Sequence, residues 1–238
     1  MSATTKGSQR SLRAPVRLSF VATTCPEGMH IVEPEAQSLP ANASFMEQQL
    51  AKSPGPVLRF KSDRIEKGML SYAALDDLVS VRFANVREGD LDGLFRFLRR
   101  FGQVHPTVDK VDVVWRLQGH ILVLVAGLLG FQGKRSREDP DRAKLPDLVA
   151  QLEKFPPLSK LILEEGVPVG WNIECRNLYQ FMQMEVLLAH WDGARAHQCH
   201  HCLDIFVVGR GSGRSKKAIF CSDKCRQAAF RRRNKSAK

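Results

Sequence analysis

No membrane span is apparent in this sequence, since a bilayer crossing requires ~20 consecutive, mostly apolar residues. The most apolar run, residues 121–131, falls well short of that and follows Arg116, Gln118 and His120, so it is expected to be the buried end of a helix. The first twenty residues, MSATTKGSQRSLRAPVRLSF, lack the apolar centre of a secretory signal. They are rich in Ser and Arg and hold no acid, which suits a mitochondrial transit peptide or a flexible basic arm. The arm is the simpler expectation. Without a secretory signal the compartment is expected to be the reducing cytoplasm (nucleoid-associated if bacterial), where paired cysteines favour a metal over a disulfide. Catalytic signatures are missing too. There is no phosphate loop, no dinucleotide fingerprint and no nucleophile pattern. His105, His120 and His190 stand singly in apolar or loop settings, and Glu164–Glu165 reads as the flank of a turn. The protein is therefore not expected to be an enzyme.

What the chain does have is positive charge at its two ends. The formal net charge is +11. Residues 195–238 hold twelve Lys/Arg against Asp204 and Asp223, and residues 1–20 hold four against none, which leaves the middle mildly acidic. A field concentrated at one end attracts a polyanion, and nucleic acid is the commonest one.

Residues 1–55 carry five prolines and no sustained periodicity, and are expected to form a disordered basic arm. LVSVRFANV (78–86) is rich in Val and Phe and predicts a strand. REGDLDGLFRFLRRFG predicts a helix capped by Asp90 and stopped by Gly102. The long segment from Thr107, a candidate cap, keeps helical spacing through Val111, Val114, Ile121 and Val125. A charged loop (133–146) and a short helix (145–155) should follow, then a small hairpin around Gly166 and Gly170. A helix with Leu178, Phe181, Met182, Glu185 and Val186 spaced for burial comes last before the cysteines. The expected fold is mainly α with small β elements (α+β): a mostly helical domain over 57–192 and a compact metal module over 196–234.

Four of the six cysteines lie in that module, as Cys199-x2-Cys202 and Cys221-x3-Cys225. Zinc(II) takes four such ligands in a tetrahedron, and a C-x2-C turn sets two sulfurs on one side of the backbone. Ser222 can cap a helix that carries Cys225 in its first turn. Ile205–Val208 and Ala218–Phe220 are expected to be two short strands joined by a Gly/Ser/Arg loop. Knuckle, hairpin and helix, in that order, make a treble-clef zinc finger. With every position filled by sulfur, the Zn2+ would be structural. His197, His200 and His201 are the rival ligands. Cys25 and Cys175 have no partner at metal spacing and read as ordinary thiols.

The run from Cys199 to Arg233 resembles the C-terminal zinc finger of bacterial CGNR-type proteins, which follows a helical ABATE domain assigned to stress-induced transcription regulation. The shared features are the C-x2-C pair, the Ile205-Phe206 after it, the Phe220-Cys221-Ser222 before the second pair, and the basic helix. Here Cys225 is followed by Arg226-Gln227-Ala228, where that family has Gly-Asn-Arg.

Arg226, Phe230 and Arg233 share one stripe of the last helix, while Arg231, Arg232 and Arg233 point three ways. Phe230 is expected to pack on the hairpin. Arg210, Arg214, Lys216 and Lys217 add charge from the glycine-rich loop. Together these residues suit phosphate neutralisation more than base reading. The resulting expectation is a zinc-dependent nucleic-acid-binding protein, DNA favoured over RNA, with no membrane partner and with the helical domain sensing, dimerising or meeting a protein partner. The alternative is a protein-interaction module with a structural zinc. A nuclease built on His200, His201, Asp204 and Asp223 is the remaining reading.

Overall fold

Val16, Leu18, Phe20 and Ala22 alternate with Arg17, Ser19, Val21 and Thr23, the period of a strand with one face buried. In the computed structural model this stretch is β1 (Val16–Thr24), an inner strand of a four-stranded mixed sheet. The structure describes residues 16–32, 56–62, 64–72, 78–106, 110–130, 157–164, 167–209 and 212–236, and the structural statements below concern these. In chain order the further strands are β2 (Met29–Val32), β3 (Val57–Phe60), β4 (Glu66–Ser71), β5 (Leu158–Glu164), β6 (Val167–Glu174), β7 (Arg195–Gln198) and β8 (Ile205–Val208). The helices are α1 (Val79–Ala84), α2 (Leu91–Phe101), α3 (Val111–Leu128), α4 (Leu178–Trp191) and α5 (Asp223–Ser236).

The large sheet has the order β4-β1-β6-β5, with β1 antiparallel to β4 and parallel to β6. Two smaller sheets pair β2 with β3 and β7 with β8. This overturns the expectation of a mainly helical chain with minor strands: the fold is α+β, and the sheet is one of its principal layers. The expected disordered arm is corrected with it, since residues 16–32 supply two strands. Prolines at 15 and 26 bracket β1 rather than interrupt it, and a bracketed strand keeps its full ladder. Residues 1–15 and 33–55 lie outside the described residues, as do the charged loop, the helix expected over 145–155 and the Thr107 cap.

The inward face of β1 packs on α2 and α4. Leu18 and Ala22 are buried, and the rings of Phe20 and Phe181 lie 6.3 Å apart. As expected, α2 is capped by Asp90, whose side chain accepts from the Gly93 amide. Gly102 ends it at φ +90, where a Cβ would collide with the Thr23 carbonyl, so glycine is what lets the helix end meet β1. By length and composition α3 is apolar enough to cross a membrane. Here it is a core helix, with Val114, Ile121, Leu124 and Val125 buried.

The predicted strand over 78–86 is instead α1, a second correction. Local β propensity yields because the helix is buried on almost every side and its ends are satisfied by side chains from elsewhere. Buried Glu185 on α4 accepts from the Val79 and Ser80 amides, at 3.0 and 2.7 Å, and from the Ser80 hydroxyl at 2.6 Å. At the other end, buried Gln118 on α3 donates to the Ala84 and Val86 carbonyls, at 3.1 and 3.0 Å. Helix termini leave such groups without intrahelical partners, and leaving them bare in the core is costly. Glu185→Ala strips the three donors of this acceptor, so it should cost about 3 kcal/mol or more. That loss is read as a lower denaturant midpoint, with Glu185→Gln losing less.

Candidate metal centre

The hairpin of β7 and β8 folds Gln198 opposite Ile205 and leaves Cys199 and Cys202 in the turn between them. This corrects the expected pairing of Ile205–Val208 with Ala218–Phe220. The knuckle closes its own hairpin, and 218–220 lies alongside it as an irregular segment. Two hydrogen bonds hold that segment, from the His200 amide to the Ile219 carbonyl (3.0 Å) and from His197 Nδ1 to the Ala218 carbonyl (3.0 Å). Cys221 is thereby carried up to the knuckle. The Ser222 hydroxyl then accepts from the Cys225 amide at 3.3 Å, so α5 starts where the sequence predicts and brings the fourth sulfur in.

The four Sγ atoms all lie within 4.8 Å of one another, with Cys202 and Cys221 at 3.6 Å and Cys221 and Cys225 at 3.5 Å. These separations far exceed a covalent S–S bond of about 2.05 Å, and all four thiols are free. A cluster of this kind can hold a metal ion. The rival ligands are engaged elsewhere. The His197 ring meets Phe206 edge-on at 5.9 Å, His200 meets Phe220 at 6.3 Å, and His201 is exposed. Cys25 is buried against Ser62, and burial pushes the Cys175 thiol up to about 12, so neither joins the cluster.

The surroundings treat the sulfurs unequally. Burial pushes Cys199 up, but backbone hydrogen bonds from Cys202, Cys221 and His201 outweigh it and bring the thiol down to about 7. Burial raises Cys202, and burial together with the Cys225 contact raises Cys221 to about 11. The apolar support is small: Cys199, Phe206 and Val208 are buried, with Ala218 and Phe220 packed against them.

The unit is joined to the rest of the protein through β8. Phe206 and Val208 face the sulfurs, while Ile205 and Val207 belong to the main core. The Asn85 side chain at the end of α1 bonds both polar groups of the Ile205 backbone, at 2.7 and 2.8 Å. Asn85 is not singled out by the sequence because the strand predicted over 78–86 absorbs it.

The expected phosphate contacts are distributed unevenly. Lys216 and Lys217 are exposed, as are Arg226, Arg231, Arg232 and Arg233 on α5. Arg214 is half-buried and donates from Nε to the Cys221 carbonyl at 3.2 Å, which ties the loop to the knuckle. Arg226 lies 3.1 Å from Asp223. Arg210 lies outside the described residues. Phe230 does not pack on the hairpin, a further correction: it is 65% exposed, while Ala228 and Ala229 take the inward side. Comparison of the chain with protein-family models, with curated proteins and with solved structures finds no match.

Metal binding here must displace protons from Cys202 and Cys221, whose pKa values are raised. Affinity should therefore climb with pH, by at least about a hundredfold per unit while both thiols are protonated in the free protein. Competition against a chromophoric chelator at a series of pH values measures the slope. Replacing any one of the four cysteines with Ser should lower bound metal below one ion per chain, by elemental analysis.

Proposed function

We propose that the protein is a zinc-dependent nucleic-acid-binding protein whose C-terminal unit grips phosphates, with DNA favoured over RNA and transcription as its setting. Zinc suits the cluster. A tetrahedron with Zn–S bonds of about 2.3 Å has edges of about 3.8 Å, close to the 3.5 and 3.6 Å separations here. Four protein sulfurs leave no open coordination position, so the ion's role is structural and not catalytic. Thiolates from four cysteines and one dication carry a net −2, which neighbouring lysines and arginines offset.

The observation that carries the reading is that the exposed cations stand on the segments the sulfurs hold in place. Lys216 and Lys217 precede Cys221, and Arg226, Arg231, Arg232 and Arg233 follow or flank Cys225 on α5. The resemblance to CGNR-type fingers points the same way. A second reading rests on Leu203 and Ile219, 60% and 44% exposed, which give the knuckle an apolar tip that suits a protein partner. In that case neutralising Lys216 and Lys217 leaves partner capture intact.

On one preparation, DNA binding is measured at two salt concentrations, with and without chelator. Affinity should fall steeply with salt, and Lys216→Ala or Arg231→Ala should each reduce the log–log slope by about one. Chelation should abolish binding together with the fold of the unit. Zinc-loaded protein with no affinity for DNA or RNA would favour the interaction reading.

A further inference from the structure

We propose that Phe230 is a stacking platform for an unpaired base of a single-stranded polynucleotide lying along α5, an inference that rests on the nucleic-acid reading above. The inward face of the helix is already assigned: Cys225 points at the sulfurs, and Ala228 and Ala229, one turn on, are half-buried beside it. At ~100° per residue, Phe230 stands about 140° around the helix from Cys225. It cannot turn inward without withdrawing Cys225 from the cluster. The ring is therefore held outward, at 65% exposure, by the same bond that would anchor the helix.

Its neighbours select the occupant. Arg226 and Gln227 lie one turn before it and Arg233 and Asn234 one turn after, all exposed, with Arg231 adjacent. A second copy of this chain would bring two such arginine-bearing faces together, like charge against like. A polyanion meets them with opposite charge. A duplex offers phosphates and base edges, but its base faces are covered by one another. A single strand offers phosphates and uncovered faces together, the combination that alternating cations and aromatic rings recognise.

The test uses the full-length, zinc-loaded protein with a labelled mixed-sequence single-stranded DNA, its duplex and the matching single-stranded RNA. Phe230→Ala should weaken single-strand DNA binding about 10- to 100-fold while leaving metal content unchanged. The salt slope should be preserved because no cation is lost. Duplex affinity should change by no more than about twofold, since stacking on a base face is not available there. Phe230→Trp should restore the single-strand affinity. RNA binding that falls in parallel supports the same base-face contact. Equal losses on single strand and duplex, or no loss on either strand type, would overturn it. So would a dimer that dissociates in Phe230→Ala with strand binding intact. Salt-dependent binding indifferent to Phe230 defeats stacking alone, whereas absence of binding to every nucleic acid defeats the underlying reading as well.

Discussion

Four sulfur atoms within 4.8 Å of one another are the constraint on which the C-terminal unit depends. Thiolates at that separation repel unless a cation sits among them, and thiols at that separation gain little from each other. Among the described residues of the unit, three, Cys199, Phe206 and Val208, are buried in its own cluster. Apolar burial on that scale does not offset the ordering of the residues that follow β8. An apparent binding energy of roughly 10–16 kcal/mol for a structural zinc does. An ion bound by these sulfurs would therefore supply the folding energy of this segment, and the positions of its cations would follow from it.

The consequence reaches further than the unit itself, because β8 serves two cores. Its alternate residues face the sulfurs and the main body, which makes the strand a shared wall. Asn85 fixes that wall to the end of α1, and α1 is fixed in turn by Glu185 and Gln118 from two other helices. A short helix with no side-chain cap of its own is thus stabilised entirely by partners distant in sequence. Order in the metal unit and order at α1 are physically continuous.

The same long-range dependence explains what the sequence could and could not disclose. The clustering of the four cysteines, the Ser222 cap, Asp90, Gly102 and the helices α2, α3 and α4 were legible, because each rests on local spacing or on chemistry within a few residues. The hairpin of β5 and β6 was legible for the same reason. The segment 78–86 misled because its Val and Phe content favours a strand in isolation, and the carboxylate that makes it a helix lies about a hundred residues on. For β1 the alternation was present, yet its partners β4 and β6 are remote and the surrounding prolines suggested an unstructured arm. The β7–β8 pairing was not legible because Arg195–Gln198 carries little strand signal, whereas the apolar runs at 205–208 and 218–220 suggest a hairpin of their own.

Phe230 is the instructive error. Taken alone, a phenylalanine beside a hairpin argues for burial, and the apolar rule won that comparison. The rotation of α5 is settled by Cys225, however, since its sulfur lies with the other three and the helix cannot turn about its axis without withdrawing it. Cys225, Ala228 and Ala229 then define the inner face by periodicity alone, and Phe230 falls outside it. A ligand is a stronger constraint on orientation than hydrophobicity, because bond formation with a metal outweighs the burial of one ring. In a small unit of this kind, side chains should be assigned to faces from the clustered sulfurs outward, and an aromatic ring left on the solvent side is then part of the surface that the cluster orients.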